Sequence, residues 1–275
     1  MRIKVLDDNG IERWAPKDEV FGLSPVDPDP AIFHETFSEL SIEDAWAPTT
    51  GATWVDAWVK WRVRHLNGND DKGWKVHIPG ETHEIVEDGL AMRGINKSVQ
   101  EGFPWTAAMI STERSFAMEE GQRINVTLKI TQMSPGGHFS LWLLESKTGK
   151  WPPEIDLLEV VGSNLTFPDG PVNLYSVNGL RPDRGGPNIT FVDHEPDFWD
   201  KFHTFSFVWG KDVIRWLVDN EEVRAQPNFL TSQPMYFLAT WELGASRNQD
   251  FPGPVNDVTV WPFEVIMKEV KVTKI

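Results

Sequence analysis

Apolar and polar side chains alternate along residues 124–133, INVTLKITQM, the period of a strand that buries one face and wets the other. FSLWLLE (139–145), FHTFSFVWG (202–210), VIRWLVDNEEV (213–223), PMYFLATWEL (234–243) and FEVIMKEVKVTKI (263–275) continue the series, with turn residues between them. Asp219-Asn220 in VDNEEV predicts a tight hairpin turn. No helical periodicity outlasts two turns, although SIEDAW (41–46) has the composition to open a short helix. So many short strands predict an all-β domain, an antiparallel sandwich of two packed sheets.

Residues 1–30 differ from the rest. SPVDPDP (24–30) alternates proline with acid, which reads as an extended linker, so 1–30 is taken as a lead segment that docks on the domain or tethers it elsewhere. The β-sandwich domain then runs over 31–275. At 275 residues the chain is long enough for a substantial core. No run of about 18 apolar residues encodes a membrane span, and the first twenty residues lack the apolar stretch of a signal peptide.

Composition narrows the chemistry. Zero cysteines exclude disulfides, thiol nucleophiles and cysteine metal sites. A net charge of −15 argues against a nucleic-acid partner, which needs a positive surface. The aromatic residues split unusually, 14 Trp and 16 Phe against 2 Tyr. Some of the indoles belong in the core, but an indole plate also stacks on the apolar face of a sugar ring.

The segment WPPEIDLLEVVG (151–162) concentrates the candidate chemistry in Glu154, Asp156 and Glu159. Strict alternation turns Glu154 and Asp156 one way and Glu159 the other. One inserted residue, a β-bulge at Leu157-Leu158, returns Glu159 to the face of the other two. By chance an E-x-D-x-x-E pattern arises roughly once in fifteen or twenty such chains, so the letters alone are weak. Their setting is not: Ile155, Leu157, Leu158, Val160 and Val161 are too apolar for a solvated loop, and acids in such a strand cost desolvation. Two carboxylates about 5–5.5 Å apart suit a retaining glycosidase, one attacking the anomeric carbon and the other moving the proton. That chemistry needs no cofactor and no metal. Asp156, between the glutamates, can hydrogen-bond the nucleophile, and its charge raises the pKa of the carboxyl that must stay protonated.

GGHFSLWLLESKTGKWPPEIDLLEVVG (136–162) resembles the catalytic region of glycoside hydrolase family 16, which includes laminarinases, lichenases, agarases, carrageenases and bacterial exopolysaccharide endo-glycanases. That family's pattern is Trp-Leu-Leu, a variable loop, then E-[IL]-D-x-x-E or a shorter form without the bulge. MISTERSF (109–116), FHTFSFVWGKDVIRWLVDN (202–220), YFLATWELGA (236–245) and VWPFEVIMKEVKVTKI (260–275) are similar to other stretches of it, so the resemblance covers roughly 33–275. It implies a jelly-roll, concanavalin A-like sandwich with a concave substrate cleft. It also implies Glu154 as nucleophile, Asp156 as assisting acid and Glu159 as general acid/base.

The chain departs from that pattern at several points. His138 stands where the family usually has a cleft tryptophan, while Trp142 is kept. Asn125 and Thr127 replace a Glu and an Arg, and Ser176 or Asn178 lies where many members carry a histidine. These changes point away from a plain laminarinase and toward an unusual, decorated polysaccharide.

Further candidates surround the acids. Trp105, Trp142, Trp151 and Trp241 fit either sugar stacking or core packing, and the resemblance draws Trp142 to the cleft. By the resemblance Asn69 contacts a sugar, against the plainer reading of a polar turn at Asn67-Gly68. His138 suits a sugar hydroxyl or an anionic substituent, and His203 a structural role. Arg181 or Arg184, in LRPDRGGPN (180–188), suits a carboxylate, sulfate or pyruvate on the glycan, the bland alternative being a solvated loop. The family's structural calcium uses an acid where this chain has Lys268, so no metal is expected there.

The expectation is a retaining endo-β-glycanase acting on an extracellular or capsular polysaccharide, β-1,3/β-1,4-glucan-like or decorated, with no nucleic-acid or membrane partner. A lectin-like module and a transglycosylase on the same fold are the alternatives. A secreted bacterial protein and a phage virion-associated depolymerase, tethered through 1–30, both fit.

Overall fold

The computed structural model describes residues 3–6, 12–15, 31–39, 42–44, 61–63, 71–113, 115–145, 153–162, 174–180, 188–193, 198–230, 233–244, 246–247 and 251–275. Strands dominate them, and Phe198–Asp200 forms a single 3-10 turn.

Two sheets share one core. The eight-stranded sheet runs in the order Asn188–Asp193, Leu174–Leu180, Glu154–Val161, Gly137–Glu145, Met235–Leu243, Met109–Ser111, Trp61–Val63 and Ile42–Asp44. The ten-stranded sheet runs Glu221–Pro227, Val213–Val218, His203–Trp209, Gln122–Gln132, Phe263–Lys274, Gly89–Ile95, Trp105–Ala107 and Gly73–Lys75. Phe33–Glu35 and His83–Val86 attach to it at the sides of Phe263–Lys274 and Gly89–Ile95. Pairing is antiparallel except between Ile42–Asp44 and Trp61–Val63 and between Gly73–Lys75 and Trp105–Ala107.

The alternation read in the sequence becomes the packing between the sheets. Ile124, Val126, Leu128 and Ile130 point inward from one sheet and Phe139, Leu141 and Leu143 from the other, and all are buried in one cluster. Every second residue meets the core because the strand period is two.

The hairpin at Asp219-Asn220 is present, with φ of 51° and 65°. Left-handed backbone at both central residues matches the right-handed twist of the flanking strands. Asp219 also accepts hydrogen bonds from the Thr204 amide at 2.9 Å and from His203 at 2.6 Å.

The helix expected at SIEDAW is not formed by its described residues. Ile42–Asp44 are a strand hydrogen-bonded to Trp61–Val63, because an open sheet edge outweighs local propensity. In the lead segment Ile3–Leu6 pairs antiparallel with Glu12–Ala15. Ser24–Pro30 lies outside the described residues.

Candidate active site

Glu154–Val161 is an interior strand of the eight-stranded sheet, with Gly137–Glu145 on one side and Leu174–Leu180 on the other. Glu154 stands opposite Leu144 and Leu180, Asp156 opposite Trp142 and Asn178, and Glu159 opposite Ser140 and Ser176. From Asp156 to Glu159 the acid strand advances three residues while Leu174–Leu180 advances two. On the other side the register slips between Leu141 and Trp142. That is a β-bulge at Leu157-Leu158, where the sequence called for one.

The bulge is absorbed inward. Leu157 and Leu158 are both buried in the core cluster, with Ile155 and Val160 on either side of them. Glu154, Asp156 and Glu159 are thereby turned to the opposite, outer face. Asp156 is buried, whereas Glu154 and Glu159 remain partly exposed.

The other sheet holds this stretch from below. Trp216, in the core, donates from Nε1 to the carbonyl oxygen of Asp156 at 2.9 Å. The Arg224 guanidinium covers the Trp216 ring at 4.9 Å and bonds Gln226. Burial lowers the Arg224 pKa to about 10, against the opposing pull of the Asp156 charge, so a buried cation acts on Asp156.

On the outer face Trp142 is half-buried and donates from Nε1 to Thr240 Oγ1 at 3.1 Å. It packs with Leu144 against Met109, Tyr236 and Leu238, a small apolar floor beside the acids.

His138 lies between two carboxylates. Its Nδ1 is 3.2 Å from Glu242 Oε2, and its Nε2 is 3.5 Å from Glu159 Oε1, an ion-pair separation longer than an ordinary hydrogen bond. Burial by itself lowers the imidazole pKa, but the hydrogen bonds and charges of Glu159 and Glu242 outweigh it and lift the value to about 9.

The remaining candidates fall elsewhere. Trp241 is a correction: it is fully buried, packed at a tilt against Phe139 and Phe263, and donates to the Met92 carbonyl, because its strand position has the parity of the core. Trp105 belongs to the ten-stranded sheet and packs half-buried against Trp261 and the core edge, so it is not brought to the acids. Asn69, Trp151, Arg181 and Arg184 lie outside the described residues. His203 stacks on Phe198 at 3.6 Å and bonds its carbonyl oxygen. Lys268 is exposed, over the Phe202 ring. Asn125 accepts from Arg123 and Ser206, on the sheet away from the acids.

Glu242, Trp216 and Arg224 are the contributors missed in the sequence. Glu242 had a signal, a lone acid inside the apolar run YFLATWEL. Trp216 and Arg224 had none, since their relation to Asp156 crosses between sheets.

The jelly-roll sandwich of two sheets is an architecture shared with solved glucanase structures. The endo-β-1,3-glucanase of Pyrococcus furiosus superposes with a TM-score of 0.70 at 19% identity, covering 89% of this chain and 94% of that one. The laminarinase catalytic domain of Thermotoga petrophila gives 0.71 at 19% identity, over 90% and 98%. Residues 57–249 match the family model for Glycosyl hydrolases family 16, and the chain belongs to that family. Among curated relatives, the endo-1,3-1,4-beta-glycanase EglC of Rhizobium meliloti is 24% identical over 235 residues, which is 77% of this chain and 46% of EglC. The chain spans less than half the length of the curated relatives it matches.

Proposed function

We propose that the chain is an endo-acting β-glycanase that hydrolyses a 1,3- or mixed 1,3-1,4-linked β-glucan-like polysaccharide with retention of configuration. The observation that carries this reading is the bulge at Leu157-Leu158, which turns Glu154, Asp156 and Glu159 to one face of the sheet. Family membership and the names of the matched relatives support the substrate class.

In the first step Glu154 attacks the anomeric carbon while protonated Glu159 gives its proton to the departing glycosidic oxygen. The product is a covalent glycosyl ester on Glu154. In the second step Glu159, now a base, takes a proton from water, and that water displaces Glu154. Asp156, between the two glutamates, assists the nucleophile. Trp142 offers an indole to a sugar ring beside them. A polysaccharide of this kind is met outside the cell, and an extracellular site of action belongs to the proposal.

The test is a polysaccharide panel read by reducing-end release, with NMR of the anomer first formed. A β-glucan-type substrate cleaved internally to a β-configured product is expected. Glu154→Gln and Glu159→Gln are each expected to abolish turnover while the folded spectrum is kept. An α-anomer as first product overturns the retaining step, and near-normal activity in either variant overturns the assigned roles.

A further inference from the structure

We infer that His138 and Glu242 act together as the positioning pair of Glu159, holding its carboxyl and stabilising the charge it acquires when it releases its proton. The inference rests on the proposed role of Glu159 as general acid/base and assigns a function to two residues outside the acid strand.

Three adjacent strands supply the chain of contacts. Glu159 comes from the acid strand, His138 from Gly137–Glu145, and Glu242 from Met235–Leu243, where it stands directly opposite His138. The imidazole reaches Glu242 through Nδ1 at 3.2 Å and Glu159 through Nε2 at 3.5 Å. With its side chain 6% exposed, His138 has little access to solvent and faces a carboxylate at each ring nitrogen, hydrogen-bonded at Nδ1 and at ion-pair distance at Nε2. A doubly protonated ring satisfies both carboxylates, and such a ring can only donate.

Glu242 is itself anchored from the core side. Asp71 accepts from the amides of Gly73 at 2.8 Å and Leu243 at 3.0 Å, and the Lys72 amide donates to the Leu243 carbonyl at 2.9 Å. Lys75, fully buried, pairs with Asp71 and donates to the Gly73 carbonyl at 3.0 Å. Leu243 follows Glu242 in the chain, so this buried ion pair fixes the backbone that presents Glu242.

The electrostatic balance suits an acid that must become a base. When Glu159 gives its proton to the glycosidic oxygen, negative charge appears on a carboxylate facing a preorganised imidazolium N–H, where such a donor is most effective. Glu242 cancels the net charge of the imidazolium, so the pair offers Glu159 a directed donor without a full unit of positive charge. His138 keeps both of its protons throughout, and the proton that Glu159 loses is restored from the attacking water. Among the described residues the titratable groups acting on His138 are Glu159 and Glu242, with Asp71 and Lys75 behind Glu242.

Two measurements test the pair. In the first, the histidine rings are labelled with 15N and His138, assigned by its absence from His138→Gln, is titrated in wild type, Glu159→Gln and Glu242→Gln. Wild-type His138 is expected to hold both protons up to about pH 9. Each variant is expected to lower that midpoint by about one unit or more. A wild-type midpoint near 6.5, or a midpoint indifferent to Glu159→Gln, overturns the inference. This arm needs no turnover, so it decides the pairing even if no glycan is cleaved and the hydrolase reading fails.

In the second, the alkaline limb of kcat/KM against pH is compared on a cleaved glucan. Loss of the cation in His138→Gln is expected to move the limb up by about one unit, and loss of the anion in Glu242→Gln to move it down. Shifts of opposite sign support the pair. Unmoved limbs, or a shared direction such as general loosening produces, overturn it. Should His138→Gln not fold, His138→Asn takes its place, both as the reference that assigns the resonance and in the comparison of the limbs.

Discussion

Trp216 Nε1 and the carbonyl oxygen of Asp156 are joined by a 2.9 Å hydrogen bond that passes from one sheet to the other through the core. It lands one residue before the bulge, where the ladder on both sides of the acid strand changes register. A donor that cannot move away from an oxygen at that point fixes where the extra residue sits.

Trp216→Phe keeps most of the buried ring and removes the donor. The expected result is a loss of about 1–3 kcal/mol in chemical denaturation, the cost of a buried carbonyl left without its partner. Catalytic rate is expected to fall further than stability accounts for, because Asp156 and its neighbours lose their support. A variant with unchanged stability and rate would refute the tie.

Deleting Leu157 alone removes the residue that the register skips on the side of Gly137–Glu145. Leu158 still faces Leu141 and Glu159 still faces Ser140, so measurable hydrolysis is expected to survive. The lost buried leucine should cost roughly 2–5 kcal/mol. Deleting both leucines turns Glu159 to the other face, and activity is expected to vanish. Reducing-end assays on the two deletions separate face from composition.

The two tryptophans on neighbouring strands predict opposite phenotypes. Trp142→Ala is expected to raise KM about tenfold, a loss of about 1.4 kcal/mol of binding, with a modest change in melting temperature. Trp241→Ala empties a position with no exposure in the core and is expected to cost about 3–5 kcal/mol. Kinetics and melting curves on the pair decide whether parity assigns their roles.

His83 is fully buried, 5.1 Å from His77, and its Nε2 lies 3.2 Å from the Met109 carbonyl oxygen. Burial, with the nearby His77, lowers its pKa from 6.5 to about 3. Below pH 6.5 the unfolded chain takes up a proton that the folded protein refuses. Stability therefore declines as pH falls from about 6.5 to 3, by roughly 4 kcal/mol at the lower end. Melting temperatures across that range should flatten in His83→Gln, which cannot titrate.

The sequence by itself determined the strands, since a period of two in INVTLKITQM or FEVIMKEVKVTKI needs only one apolar face to bury. It determined the hairpin at Asp219-Asn220, where local sterics select the residues. It also determined the bulge, because three acids in an apolar strand have a single outer face available only if one residue is added. What lies between strands was not legible there. Trp142 and Trp241 both sit in apolar runs, and only strand parity against the packed core assigned one to the outer face and the other inside. The parallel edge strand at Ile42–Asp44 depended on a partner about twenty residues on, against its own propensity. The contact of Glu159 with His138, and of His138 with Glu242, joins residues spread over 104 positions of the chain. Such a network is set by which strands become neighbours, a choice made by burial of the whole core and not by any local pattern.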